Sequence, residues 1–209
     1  PYTTLFRSGR LGRVWKSKSG DGILMSLIIK PKIEPYKAPF LTLVAGASVV
    51  KALSNLDVEA SIKWPNDIIV HNKKICGILT ELSAEMERVN YVVIGIGINI
   101  KTIDFPDEIK EKATSLYKEG YKLSRVDIVR QFCIEFEKLY KGYILDGNKQ
   151  DTLELCRKYS AIIGKQVYVI KNNKRELVKC IDINENGNLI VKEKNGEIQE
   201  IMSGEVSIR

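Results

Sequence analysis

The sequence predicts a mixed fold in two parts, a larger part with both helices and strands and a small β-barrel at the C-terminal end. Apolar residues before residue 160 occur partly at helical spacing and partly in strand-length runs. The composition shifts at Ser160–Gly164, and about 45 residues of short alternating strands and turns follow, a rhythm typical of small barrels. Within that stretch Asn186-Gly187 and Asn195-Gly196 are strong hairpin signals.

Local patterns place the elements of the larger part. Residues 9–22 contain four glycines, which is too many for a helix or a central strand and predicts a mobile loop. Strands are predicted at Ile23–Lys30, Ala60–Trp64, Ile68–Val70, Ile75–Leu82 and Tyr91–Ile100. Helices are predicted at Pro39–Leu53, from the cap Ser124 to about Leu145, and at Gln150–Tyr159. Because Tyr91–Ile100 is apolar on both faces, we expect it in the middle of its sheet.

The composition is that of an ordinary globular protein with a surplus of positive charge. Of 209 residues 44% are hydrophobic, and 33 basic against 26 acidic residues give a net charge of +7. Such a charge attracts anions of several kinds, including nucleic acid, ATP and acidic proteins. No uninterrupted apolar run is long enough to span a membrane, and no basic-then-apolar leader is present, so we expect a cytoplasmic protein without a membrane partner.

The cysteines do not indicate a metal or disulfide site. Cys76, Cys133, Cys156 and Cys180 are widely scattered, and the single histidine, His71, lies in a polar turn. A structural zinc site needs about four soft ligands at short spacing. We therefore expect free thiols, buried or half-buried, and no protein-bound metal.

Three segments carry residue types suited to chemistry. The loop at residues 9–22 combines glycines with basic side chains, which suits phosphate oxygens, although a solvated basic linker has the same composition. Lys63–Asp67 puts a polar cluster between apolar strands, and a hairpin can return Lys74 and Gly77 to the same end of the sheet; an exposed turn remains the alternative. Gly95–Asn99 ends an apolar strand with two glycines that can open a flat slot or allow tight helix packing.

Together these segments resemble the biotin protein ligases. The similarity covers about residues 9 to 209 and includes four motifs in the family's order: Gly9–Trp15, Lys63–Asp67 with Lys74 and Gly77, Gly95–Asn99, and Ser203–Ser207. The resemblance implies an α+β catalytic domain related to class II aminoacyl-tRNA synthetases, at 9–160, and an SH3-like barrel at 161–209. It also implies that biotin and MgATP form biotinyl-5′-AMP and pyrophosphate, after which a lysine of a biotin carboxyl carrier protein takes the biotinyl group.

The same resemblance assigns the charged residues. It places Lys74 at the biotin carboxylate and the α-phosphate, Arg10 on the phosphate, and Gly9 in the backbone wall of the loop. Cations there would stabilise charge that develops when a carboxylate attacks a polyphosphate. Asp67 is expected to orient or deprotonate the acceptor lysine.

The remaining binding residues follow from the same motifs. Arg13 and Trp15 are expected to order the loop and cover the intermediate, which shields a mixed anhydride from water. Gly77 and Gly97 are expected to line a flat biotin slot, with Asn99 in contact with the adenylate.

The sequence departs from the family pattern at its start. Arg7-Ser8 stand where the family loop has Gly-Arg, and the Ser-Thr-Asn element and glutamine expected upstream are not found in Pro1–Ser8. We therefore interpret residues 1–8 as a foreign segment replacing a missing N-terminal part. The chain itself shows no DNA-binding domain, and a homodimer is left open.

Three alternatives remain from the sequence. A lipoate ligase uses the same adenylate chemistry, but the Lys63–Asp67 motif and the C-terminal barrel favour biotin. A nucleic-acid-binding protein would interleave aromatic and basic residues, whereas Trp15 is the only aromatic residue from Gly9 to Lys30. An inactive fragment is the third alternative.

Overall fold

Two five-stranded antiparallel sheets form the framework of the protein. The computed structural model describes Gly12, Trp15, residues 17–171 and residues 174–208. The first sheet and the helices come first along the chain, and the second sheet follows as the C-terminal part. The order of the elements therefore agrees with the expected division, because strands and helices are mixed up to residue 158 and only strands follow.

The first sheet has the strand order β1-β5-β4-β3-β2. Its strands are β1 (Gly22–Ile29), β2 (Ser61–Lys63), β3 (Asp67–Val70), β4 (Lys73–Glu85) and β5 (Arg88–Asn99). The apolar strand β5 lies between β1 and β4, which confirms the interior position expected from its two apolar faces. The observed β4 and β5 are longer than predicted, because the polar ends of this hairpin continue the pairing beyond the apolar runs that marked the strands.

The helices are α1 (Phe40–Ser54), α2 (Arg125–Leu145) and α3 (Gln150–Lys158). Helix α1 packs against the first sheet, and α2 and α3 pack on α1. Ser124 caps α2 as expected, and its Oγ accepts a hydrogen bond from the Val126 N–H at 3.2 Å. Helix α1 is buried along almost its whole length. Pro35–Ser54 is apolar and long enough to cross a membrane by composition, yet 72% of its most apolar window is buried inside the fold, as in a core helix.

The second sheet has the order β10-β6-β7-β8-β9. Its strands are β6 (Gln166–Lys171), β7 (Lys174–Ile183), β8 (Leu189–Lys192), β9 (Ile198–Ile201) and β10 (Glu205–Ile208). Gly187 and Gly196 both lie in turns between strands, as the two Asn-Gly pairs predicted. The edge strands β9 and β10 do not pair with each other within the described residues, so closure into a barrel stays a prediction.

The thiols differ from expectation at one position. Cys76, Cys156 and Cys180 are buried, but Cys133 is exposed, so the expectation of four buried or half-buried thiols was wrong there. Cys133 lies on α2 one residue after the buried Phe132, and the turn of the helix directs neighbouring side chains differently.

Candidate active site

A cleft of about 940 Å³ lies at the end of the first sheet where β4 begins and β5 ends. Its floor is formed by β1, β3, β4 and β5, and residues 101–113 form a wall. Three residues of the second sheet, Ile170, Val206 and Ser207, also line it. The volume is within the range of small-molecule sites.

Two glycines facing each other make the floor flat. Gly77 of β4 pairs with Gly97 of β5, and the same row continues to Leu24 on one side and Asp67 on the other. The ring of Trp15 lies directly on this pair: a Cβ built on Gly97 would be 2.9 Å from Cδ2 of Trp15, and one built on Gly77 would be 3.0 Å from Cζ3. The space opened by the missing side chains therefore holds the flat ring of Trp15.

Lys74 and Asp67 form an ion pair at the edge of this floor. Lys74 Nζ lies 2.6 Å from Asp67 Oδ1, and the two side chains are 35% and 20% exposed. The same ammonium is 2.9 Å from the position of a Gly77 Cβ and 5.8 Å from the centre of the Trp15 ring. The hairpin thus brings Lys74 back beside Asp67 and Gly77, as the spacing of these residues predicted.

The turn that carries Asp67 is fastened on both sides. Asn66 exchanges hydrogen bonds with the backbone of Ile78, its Nδ2 donating to Ile78 O and its O accepting from Ile78 N, both at 2.9 Å. Trp64 is buried, and its Nε1 donates to the carbonyl oxygen of Gly187 in the second sheet at 2.9 Å. These contacts hold the loop between β2 and β3 and thereby place Asp67.

Asn99 lies at the same end of the floor and is buried. Its Nδ2 donates to the carbonyl oxygen of Thr114 at 3.1 Å, which ties the end of β5 to the segment that follows the cleft wall. The residue also lines the cleft. Contact between Asn99 and a nucleotide stays a prediction.

Some of the predicted ligand-binding residues line the cleft, and others lie outside the described residues. Gly9, Arg10 and Arg13 lie outside the described residues. Trp15 lines the cleft, together with Gly77 and Gly97. The structure therefore brings together the members of the expected set that it describes, namely Trp15, Asp67, Lys74, Gly77, Gly97 and Asn99.

The wall at residues 101–113 is the part of the site that sequence reasoning missed. Thr102, Asp104 and Phe105 line the cleft from this segment, which contains no strand of the named sheets. Because this segment has neither helical nor alternating periodicity, its sequence predicts neither a helix nor a strand. The sequence feature that could have identified this segment is its position, because it directly follows the predicted site residue Asn99.

The titratable groups indicate which chemistry the cleft can offer. Cys76, next to the site, is fully buried, and this burial raises the pKa of its thiol well above the ordinary value. It therefore stays protonated and is a poor nucleophile. Among the described residues no group of three or more His, Cys, Asp or Glu that could hold a metal ion occurs.

Comparison with known proteins finds a family match for each of the two parts of the chain. Residues 7–99 match the Biotin/lipoate A/B protein ligase family, and residues 162–209 match the Biotin protein ligase C terminal domain. Among the relatives, the bifunctional ligase/repressor BirA of Bacillus spizizenii is 40% identical over 204 residues, covering 96% of this chain and 62% of that protein. The BirA of Escherichia coli is 28% identical over 203 residues, with 96% and 63% covered. The chain thus spans less than two thirds of the length of these relatives.

Solved structures with a similar fold are also biotin protein ligases. The biotin protein ligase from Aquifex aeolicus, solved in complex with biotin and ATP, superimposes with a TM-score of 0.82 at 29% sequence identity, covering 98% of this chain and 86% of that chain. The second matched model distinguishes biotin from lipoate ligases, because its description names the biotin enzymes alone. On these matches, the chain belongs to the biotin protein ligase family.

Proposed function

We propose that this protein activates biotin with ATP and transfers the biotinyl group to a lysine of a biotin carboxyl carrier protein. The observation that supports it most directly is the ammonium of Lys74 beside a flat floor made by Gly77 and Gly97. A compact, uncharged ring system can lie on such a floor once the Trp15 ring moves off it, and the acid group of the same molecule can reach the ammonium. The relative solved with biotin and ATP and the C-terminal family match favour biotin over lipoate.

In the first step an oxygen of the biotin carboxylate attacks the α-phosphorus of ATP, and pyrophosphate leaves with the electrons of the broken P–O bond. Lys74 has three N–H donors, so it can keep Asp67 and still donate to the carboxylate and to the α-phosphate. As negative charge concentrates on the phosphate, this fixed ammonium stabilises the transition state more than the ground state. Arg10 is proposed as the second cation on the phosphate, within a backbone wall that includes Gly9.

In the second step the amine of the acceptor lysine attacks the acyl carbon of biotinyl-5′-AMP, and AMP leaves as the C–O bond breaks. The attacking amine must lose a proton. Asp67 is the carboxylate next to the reacting group in this arrangement, and we assign to it the orientation of that amine and the uptake of its proton. Arg13 and Trp15 would close over the intermediate, and Asn99 would contact the adenylate.

Mg²⁺ would accompany ATP rather than occupy a protein cage. Mg²⁺ is commonly bound by one or two carboxylates together with substrate phosphates. Asp21, Asp104 and Glu108 line the cleft, and one or two of these carboxylates could hold the ion together with the phosphates. When bound, the ion would neutralise phosphate charge, while Lys74 and Asp67 act on the reacting carboxyl group and amine.

The proposal extends to the architecture and the location. We propose a class II synthetase-like catalytic domain at 9–160, an SH3-like barrel at 161–209 and a cytoplasmic enzyme that acts on a carrier protein. The contribution of Ile170, Val206 and Ser207 to the cleft suits a C-terminal domain that takes part in substrate binding.

Pyrophosphate exchange tests the reaction. Incorporation of labelled pyrophosphate into ATP should depend on biotin, with lipoate as the control. Exchange that depends on lipoate alone would identify the protein as a lipoate ligase. Exchange with neither compound would refute the adenylation step.

Substitution of Lys74 tests the assigned cation. Lys74→Ala should lower the exchange rate by about a hundredfold to a thousandfold, the usual effect of removing one preorganised charge. Lys73→Ala is the matched control, because neighbouring side chains of a strand point to opposite faces. Circular dichroism would confirm that both variants are folded. Loss of pyrophosphate exchange in Lys73→Ala together with normal exchange in Lys74→Ala would contradict the role assigned to Lys74.

A further inference from the structure

The backbone of Lys74 is held by a segment far along the chain. Its N–H donates to the carbonyl oxygen of Lys112 at 2.8 Å, and its own carbonyl oxygen accepts from the N–H of Thr114 at 2.9 Å. These two bonds form an isolated parallel bridge between Lys74 and Ala113. The main chain beneath the proposed catalytic ammonium therefore depends on residues 112–114 for its position.

The same segment also holds Asn99. The carbonyl oxygen of Thr114 accepts from Asn99 Nδ2 at 3.1 Å, and the N–H of Leu116 donates to the carbonyl oxygen of Asn99 at 3.1 Å. Thr114 is thus bonded to both Lys74 and Asn99 through its main chain. A shift of Thr114 would move the starting point of β4 and the end of β5 together.

The side chain of Thr114 is fastened by a carboxylate. Thr114 Oγ1 donates to Glu119 Oε1 at 2.6 Å, and His71 Nδ1 lies 2.5 Å from Glu119 Oε2. Thr114 is almost fully buried, and the Glu119 side chain is 16% exposed. His71 lies in the turn that leads into β4, so Glu119 connects that turn with Thr114.

Charge strengthens these contacts. Desolvation alone would raise the pKa of Glu119, but the hydrogen bonds from His71 and Thr114, helped by the charges of His71 and Lys73, outweigh it, and the pKa lies below its ordinary value. Glu119 is therefore ionised at neutral pH. A hydrogen bond to a charged acceptor is stronger than one between neutral groups.

We propose that Thr114 and Glu119 are positioning residues that hold Lys74 and Asn99 in the geometry needed for adenylation. The proposal rests on the proposed function for its effect on rate. Its structural part concerns the backbone of Lys74 and can be measured without substrate. Neither residue is placed in contact with substrate, so both act through Lys74 and Asn99.

Hydrogen exchange of backbone amides tests the structural part. Thr114→Val removes the hydroxyl and keeps nearly the same shape, and it should speed exchange at the amides of Lys74 and Thr114 by about tenfold or more, the factor expected for losing a hydrogen bond to a charged group. Thr114→Ser keeps the hydroxyl and should stay near the wild-type rate. Unchanged exchange at these amides in Thr114→Val would overturn the proposal, whatever the enzyme's substrate is.

Kinetics test the effect on the site. Glu119→Gln and Thr114→Val should each lower kcat for biotin-dependent pyrophosphate exchange by about tenfold or more, with a smaller change in KM, because a misplaced group costs more in the transition state than in binding. Glu111→Gln is the matched control, since Glu111 is an exposed carboxylate on the same segment. Thr114→Ser should restore the rate.

A double-mutant cycle separates positioning from general destabilisation. If Glu119 acts through Lys74, the loss of rate in Glu119→Gln combined with Lys74→Ala should be smaller than the product of the two single losses. Fully multiplicative losses would overturn the proposal. A wild-type protein without biotin-dependent exchange would refute the proposed function instead, and the hydrogen-exchange result would still decide whether Thr114 and Glu119 hold Lys74.

Discussion

The two sheets have the same number of strands but use their glycines for different purposes. In the first sheet Gly77 and Gly97 lie inside strands and face each other, and their missing side chains leave room for the ring of Trp15. In the second sheet Gly187 and Gly196 lie in turns and have φ angles of +83° and +92°. The first pair provides empty space, and the second pair provides a backbone conformation that other residues rarely adopt.

The turn glycines also differ from each other. A Cβ on Gly187 would collide with Leu43 Cδ1 and lie 3.2 Å from Phe40 Cδ2, whereas a Cβ on Gly196 would meet only Lys192 Cε at 4.0 Å. Gly187 also offers its carbonyl oxygen to Trp64. The turn at Gly187 therefore packs against helix α1 and Trp64 of the first part, whereas a Cβ on Gly196 would meet no residue of the first part within 4 Å.

The largest effect is expected at this docking turn. Gly187→Ala should lower the free energy of unfolding by about 2–5 kcal/mol, because a left-handed backbone conformation and a steric clash add together. Gly196→Ala has the same backbone strain without the clash and should cost about 1–2 kcal/mol. Urea unfolding of both variants measures the difference, and equal costs would show that the Gly187 turn is not tightly docked.

A medium effect is expected on the floor of the cleft. Gly97→Ala should cost about 1–3 kcal/mol or expel the Trp15 ring, since overpacking of a close contact has this magnitude. Gly95→Ala is the control, because its Cβ would meet only Leu79 O at 3.7 Å. Urea unfolding and a red shift of tryptophan emission in Gly97→Ala would report the change; identical behaviour of the two variants would contradict the contact with Trp15.

An effect of similar size is expected from the hydrogen bond between Trp64 and Gly187, which joins the two parts. Trp64→Phe keeps most of the buried ring but leaves Gly187 O without the indole donor, which should cost about 1–3 kcal/mol of unfolding free energy. The same substitution in the background of Gly187→Ala should cost less, because the docking contact is already disturbed. Additive costs in the double variant would show that Trp64 and Gly187 act independently.

The smallest effect concerns a carboxylate on each part. Hydrogen bonds from Asn188 and Asn184 lower the pKa of Glu200 in the second sheet, and the pKa of Glu119 is also lowered. A carboxylate with a lowered pKa stabilises the fold above its unfolded pKa, and this contribution is lost as the pH falls through the folded value. Glu119→Gln and Glu200→Gln should therefore both lose less stability than the wild type when the pH falls below the ordinary value of 4.5.

The catalytic consequence distinguishes these two carboxylates. Glu119→Gln should also slow pyrophosphate exchange, whereas Glu200→Gln, which changes a fully exposed group of the second sheet, should leave the rate unchanged. Unfolding at a series of pH values and exchange at neutral pH provide both measurements. A lower exchange rate in Glu200→Gln would contradict the expectation that this exposed carboxylate has no influence on the site.

Much of the fold could be predicted from local patterns. The strand predicted at Ile23–Lys30 is β1 displaced by one residue, and the cap at Ser124 does begin α2. Such elements depend on residues a few positions apart, so their signals lie within short windows of sequence. The motif residues Asp67, Lys74 and Gly77 were also identified correctly as neighbours, because a single hairpin connects them.

Other parts of the site were decided by contacts between distant residues. Trp64 is 123 positions from Gly187, and Thr114 is 15 positions from Asn99. Nothing in a short window around Thr114 marks it as the support of Lys74, because its own segment has no periodic pattern. Residues 101–113 became a wall of the cleft only when the end of β5 and the start of β4 were brought together.

The sequence by itself determined the order of the elements and the family, and it supplied the candidate site residues. The tertiary structure alone decided that Gly77 faces Gly97, that Trp15 lies on both, and that Thr114 joins Lys74 to Asn99. The physical reason is that hydrogen-bond register and side-chain packing depend on which segments meet in space, whereas helix and strand signals depend on neighbours along the chain.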